Sequence, residues 1–236
     1  MDNHEEIRSV VAKTAEAGLT PDMEKINAQA LRPLTEEDVF AFKIAACDTL
    51  VDRDFEHFTE RALREMAPLY VGRPVLFDHV WSASKQTARI YDAAVEKIDG
   101  GHRLVLWAYM LRTDATSQMI DAILGGILRE VSVGCAVRKQ TCDICGKPFF
   151  SADCPHGRGR EYDGVLCTVT LDGCADVYEV SFVAVPSQRA AGVTKKLEKA
   201  ETEGDNPSDS SLKEGADAEI PQDELDEFLL EAVRYP

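Results

Sequence analysis

Along EVSVGCAV, residues 130 to 137, two kinds of position alternate. Val131, Val133, Cys135 and Val137 fall on one side, and Glu130, Ser132, Gly134 and Ala136 on the other. A period of two predicts a strand with one face against a core. Strand character is also found over residues 40 to 51 (FAFKIAACDTLV) and, after the break at Gly72, in RPVLFDH. ARIYDAAVEKI and HRLVLWAYML read as two strands joined through the turn signal Asp99-Gly100-Gly101. Two further strands are expected at 165 to 171 and 177 to 185, where Tyr178, Val180 and Phe182 oppose Glu179, Ser181 and Val183. Helical spacing is rarer. DFEHFTERALREMAPLY spaces Phe55, Phe58, Ala62, Leu63 and Met66 as on a helix, and residues 117 to 128 place Ile120, Ile123, Leu124, Ile127 and Leu128 along one face. Polar, helix-prone segments at 4 to 17 and 22 to 31 precede Pro33. The balance predicts an α+β fold with a mainly antiparallel, barrel-like or sandwich core and helices packed outside it.

A chain of 236 residues can bury one sizeable core, so one main domain with appendages is expected. The formal charge of -16 is uneven: residues 197 to 236 hold 3 basic and 13 acidic residues, a net -10, which leaves -6 on the body. A body without basic excess and an acidic tail argue against a nucleic-acid partner, whose phosphates call for clustered Lys and Arg. The start, MDNHEEIRSV, has neither the basic nor the apolar region of a secretory signal. No run reaches the roughly 18 apolar residues of a membrane span, so a cytosolic protein without a membrane partner is expected. In the tail, residues 197 to 220 combine Gly, Pro, Ser and acidic residues with little to bury, and read as a linker. Residues 221 to 236 space Leu225, Phe228, Leu229, Ala232 and Val233 as one apolar helical face.

Seven cysteines are present, and four metal-type ligands lie within fifteen residues: Cys142 and Cys145, then Cys154 and His156. Three thiolates and an imidazole, paired on two tight turns, match tetrahedral zinc with no open position for water. This predicts a structural zinc knuckle at about 140 to 160, inserted between two strands. Cys47, Cys135, Cys167 and Cys174 read as ordinary thiols.

Ser132 and His79 would not stand out by pattern alone. The succession VDRDFEHF (51 to 58), GRPVLFDH (72 to 79), GILREVSVG (126 to 134), the cysteine and histidine insertion and YEVSFVAVPSQRAAGVTK (178 to 195) resembles the prohead proteases of tailed bacteriophages, serine proteases of capsid maturation related in fold to the herpesvirus assemblins. The resemblance covers about residues 36 to 196, with 1 to 35 as an N-terminal helical segment. It implies a herpesvirus-protease-like fold, Ser132 as nucleophile, His79 as general base and Glu179 as the acidic partner of His79, with Asp176 and Asp78 as alternatives. Arg189 is a weaker candidate, by analogy with arginines of the assemblins. It also implies a procapsid in a bacterial host cytoplasm, scaffold and major capsid protein as substrates, self-cleavage and self-association. Two departures stand out: Cys135 follows Gly134 where a bulky apolar residue is frequent, and the cysteine-rich excursion lengthens the path from Ser132 to Glu179. A rival expectation is a catalytically inactive assembly or scaffold protein of the same fold, and a third is a zinc-dependent binding module.

Overall fold

The computed structural model describes residues 19 to 194. The helix expected at 4 to 17, the linker and the tail helix lie outside them. A short helix, α1 (Met23–Asn27), starts at Asp22, whose carboxylate accepts from the Lys25 N–H, and it buries Ile26. There follow β1 (Val39–Asp48), β2 (Glu56–Phe58), α2 (Glu60–Tyr70), β3 (Pro74–Phe77), β4 (Ala88–Ile98), β5 (Gly101–Leu111), α3 (Ser117–Leu124), β6 (Val131–Cys142), β7 (Glu161–Tyr162), β8 (Val165–Leu166), β9 (Val169–Phe182) and β10 (Gly192–Val193). Strand β1 is apolar almost throughout because both of its faces are covered: Phe40, Phe42 and Ile44 enter the main core, while Val39 and Ala41 join a second cluster with Ile26, Tyr91 and Tyr109.

The main sheet runs β10-β1-β5-β4-β3-β9-β2, and β6 pairs with β9 off this path. Strand β9 carries β6 antiparallel along one edge, and β2 and β3 parallel at two heights along the other. Helix α2 brings the chain back from β2 to β3 and buries Leu63, Met66 and Tyr70 in the main core.

The sheet is not closed into a barrel, contrary to the barrel-like expectation. Strand β10 is only two residues long, and its link toward β6 is the single bridge Glu130–Gly192, so no ladder forms. Two parallel pairings on β9 also make the sheet mixed.

The helix spacing that began at Phe55 is overridden: Glu56–Phe58 pair with β9, and the helix starts only after Thr59, whose hydroxyl accepts from the Ala62 N–H. The two strands expected near 165 to 185 are one strand, β9, in which Gly173 (φ +68) makes a kink rather than a turn. Residues 165 and 166 belong instead to the β7–β8 hairpin, turned by Asp163 and Gly164, both with positive φ. Helix α3 stops before the left-handed Gly126, which leaves Ile127 exposed rather than on its apolar face.

Candidate active site and metal centre

Because β9 lies between β3 and β6, it brings together two segments far apart in sequence. On one side Leu76 pairs with Ser181. On the other, Ser132 pairs with Ser181 and Gly134 with Glu179. Register partners share a face, so Ser132, Gly134, Glu179 and Ser181 lie on one side of the sheet, while Val75, Val133 and Val180 pack on the core side. The chain then leaves β3 through a turn closed by the Val80 N–H donating to the Phe77 carbonyl at 2.9 Å. Both central residues of this turn, Asp78 (φ 53) and His79 (φ 54), are left-handed without being glycine, a cost held in place by the surrounding bonds. The Asp78 N–H donates to the Phe182 carbonyl at 3.0 Å, and the His79 N–H to Ser181 Oγ at 3.0 Å.

This turn aims the imidazole at Glu179. His79 Nδ1 lies 2.7 Å from Glu179 Oε1, and the Ser181 hydroxyl donates to Glu179 Oε2 at 2.5 Å. Glu179 is 2% exposed, and its two oxygens meet these two groups. A carboxylate accepts, so Nδ1 is the ring's donor toward Glu179 and Nε2 is the nitrogen left for an incoming group. His79 itself is 41% exposed at the side chain, which leaves that nitrogen reachable.

Gly134 makes room for the pair: a Cβ there would stand 2.3 Å from Glu179 Oε1. The buried Tyr70 hydroxyl donates to the Gly134 carbonyl at 3.3 Å and fixes the strand at that point. Neither Gly134 nor Ser181 was singled out from the sequence. The only signal for Ser181 was its place on the Glu179 face of the alternating strand, and a strand glycine by itself reads as a weak spot.

Ser132 sits across the ladder from Ser181, half-buried, and its hydroxyl forms no hydrogen bond among the described residues; none joins it to His79. Ser181, by contrast, has its proton on Glu179 and its oxygen on the His79 N–H. Of the alternative acids, Asp176 is drawn to Arg73 (3.2 Å) and to the Val177 N–H, away from His79. Among the described residues the Asp78 side chain makes no hydrogen bond, and Arg189 is exposed and pairs with none of the site's groups. Burial pushes the Cys135 thiol up to about 12, so the one thiol beside Gly134 is no nucleophile.

At the far end of β6, Cys142, Cys145, Cys154 and His156 present ligand atoms that all lie within 4.8 Å of one another. The Cys145 and Cys154 sulfurs are 3.7 Å apart, and Cys142 Sγ is 3.5 Å from His156 Nδ1, close to the edges of about 3.8 Å and about 3.6 Å that zinc bonds of about 2.3 Å to sulfur and about 2.1 Å to nitrogen would give. The cluster could hold a metal ion such as zinc. Gly146 (φ +69) allows the tight return, with its N–H on the Cys142 carbonyl at 2.8 Å. Burial raises the Cys142 thiol, but the N–H groups of Cys145 and Ile144 point at its sulfur and bring it down to about 6, so a thiolate is at hand. Cys167, expected to be an ordinary thiol, is buried with its sulfur 3.8 Å from that of Cys142 and is not one of the four clustered ligands.

The excursion is tied back to the domain at three points. Asp143 accepts from Thr168 (2.6 Å), Thr170 (2.5 Å) and His57 Nε2 (3.0 Å); Arg158 pairs with Glu56; Gly159 packs against Phe55. His57, Thr170 and Asp143 do not make a second triad. The hydroxyl and the carboxylate share one ring nitrogen, whereas general-base work needs them on opposite nitrogens.

No family model matches the chain, and neither a curated protein nor a solved structure matches it. Among the described residues no helix is long and apolar enough to cross a membrane.

Proposed function

We propose that the chain is a serine endopeptidase of the prohead-maturation type, with Ser132 as nucleophile, His79 as general base and Glu179 as the group that orients and charges-balances His79. The observation that carries this reading is the buried Glu179 carboxylate 2.7 Å from His79 Nδ1, on a strand whose register places Ser132 opposite its neighbour Ser181. His79 Nε2 accepts the Ser132 proton as the hydroxyl oxygen attacks the scissile carbonyl, and Glu179 stabilises the imidazolium that forms. The same nitrogen returns the proton to the leaving amine, and water, activated in turn by His79, hydrolyses the acyl-enzyme.

An extended substrate would lie along the edge of β6 that carries no strand between its end bridges, adding itself as a further strand. In this reading the substrates are scaffold, capsid-protein extensions and the enzyme itself, inside a procapsid in a bacterial cytoplasm; this part rests on the sequence resemblance. The cluster would have a structural role: Cys142, Cys145, Cys154 and His156 would hold zinc in a closed set that staples the excursion, and no step of the reaction would pass through it. Co-expression with the neighbouring capsid genes, read on a gel, tests the whole. Trimmed products with wild type and none with Ser132→Ala support the endopeptidase. Equal patterns from the two would point to an inactive assembly protein of the same fold.

A further inference from the structure

Beside Ser132 the structure holds a cleft of about 380 Å³, lined by Ala46 and Leu171 and by polar groups, among them Asp52, Gln140 and Gln188. Two of these are incomplete. Gln188 is 7% exposed, and among the described residues its Nε2 has no partner; Gln140 Oε1 is buried and has none among them either. One is a donor in need of an acceptor and the other an acceptor in need of a donor, and burying either without a partner costs free energy. Gln188 is also held firmly from behind. Arg53 donates from its guanidinium to the Pro186 carbonyl at 2.5 Å and from its N–H to the Ser187 carbonyl at 3.0 Å, and the Ala191 N–H donates to the Gln188 carbonyl at 3.1 Å. Asp52 is 7% exposed; its Oδ1 accepts from the Asp54 and Glu56 N–H groups at 2.9 Å each, which leaves Oδ2 uncommitted. Burial pushes its carboxyl above the usual range. Glu56 is neutralised by Arg158.

We infer that this cleft is a substrate subsite for a carboxamide side chain, glutamine or asparagine, next to the scissile bond; the inference rests on the endopeptidase reading. A carboxamide matches all three groups at once: it offers a carbonyl acceptor for Gln188 Nε2 together with two N–H donors for Gln140 Oε1 and Asp52 Oδ2, whereas a hydroxyl or a neutral imidazole has only one donor and would leave one of the two acceptors unmet. A carboxylate would meet the acidic wall of Asp52 and Asp54. A lysine ammonium would suit Asp52 but leave the Gln188 N–H unpaired, and an apolar side chain would leave both glutamines so. The fixed backbone of 186 to 188 keeps the donor in place before the ligand arrives, which favours binding.

The test uses the full chain carrying Ser132→Ala and blocked single residues, N-acetyl amino-acid N-methylamides of glutamine, asparagine, glutamate, lysine and leucine. The readout is the side-chain amide NMR signals of Gln140 and Gln188. The glutamine or asparagine probe should move both signals and bind about tenfold or more tightly than glutamate or leucine, in line with the cost of an orphaned buried group, and Gln188→Leu should erase that preference. Tightest binding by the lysine probe, or equal binding by all five, overturns the inference. Labelling of the wild-type chain by a fluorophosphonate judges the endopeptidase reading separately. Labelling without amide preference removes the subsite and leaves the enzyme. Amide preference without labelling keeps the cleft as a carboxamide-binding site and removes the nucleophile.

Discussion

The two ends of β6 hold their functional groups by opposite means. At the start, Ser132 is placed by ladders: β6 on β9, β9 on β3, and a left-handed turn that swings His79 over Glu179. At the end, Cys142 opens into a loop whose order comes from a few side chains meeting at one point, with hydrogen bonds accepted by Asp143 and the Arg158–Glu56 pair fastening it to the domain. The first arrangement is rigid without any ligand, because backbone bonds define it. The second has little buried apolar surface of its own, and Phe150, Val165 and Leu166 stay exposed. Geometry that comes from a ladder and geometry that comes from ligands fail differently: one loses reactivity while the fold persists, and the other loses local order while the distant chemistry persists.

The sharpest way to break this contrast is at Ser132. Ser132→Ala should lower peptidase activity by about a millionfold, as loss of a nucleophile does in a related triad, with thermal stability within about 0.5 kcal/mol of wild type. His79→Ala should be as severe, and the double variant no worse. It should also destabilise the protein by about 1–3 kcal/mol, because Glu179 loses one of its two partners while buried. A residual activity near wild type in either variant breaks the assignment; equal stabilities would mean that Glu179 does not depend on His79.

Gly134→Ala sharpens the same end. The added methyl would overlap Glu179 Oε1, so the carboxylate must shift, and a displacement of that size should cost about a hundredfold in kcat while the folded spectrum is kept. Wild-type kcat in this variant would show that Glu179 need not stand where it does.

At the other end, purified protein should carry about one zinc per chain by elemental analysis, and Cys142→Ser or Cys154→Ser should lose it. Amide exchange should then quicken over residues 143 to 168 while the β3–β9 region stays protected. Activity on a short peptide should fall by less than about tenfold, a minor change beside the effect of a missing nucleophile. Protein free of zinc when prepared without chelator would remove the staple. The smallest effect is expected from Arg158→Met, which removes an ion pair at the edge of the excursion and should cost about 0.2–1 kcal/mol of stability.

The same contrast explains what could be read from the sequence. The metal ligands lie within fifteen residues, in two close pairs, so spacing alone gathers them. The alternation at 130 to 137 and the Asp99-Gly100 turn are likewise local and were legible. The meeting of Ser132, His79 and Glu179 depends on pairings across long stretches of chain, and only the resemblance to a known family nominated those residues together. The expected strands at 165 to 171 and 177 to 185 left a gap at 172 to 176 because Asp172-Gly173 carries no information on whether both sides meet the same partner strand. Phe55 and Phe58 mimicked a helix because their spacing fits a helix as well as a short strand entering one. Gly134 and Ser181 stayed hidden because their work, leaving room and donating one proton, shows only once Glu179 is in place.

The most direct measurement of the central claim is covalent labelling of the full chain with a fluorophosphonate, mapped by peptide mass spectrometry. The account predicts a single adduct on Ser132, lost in His79→Ala and strongly slowed in Glu179→Gln. An adduct on Ser181 or on another hydroxyl, or no adduct on a folded protein, would contradict it.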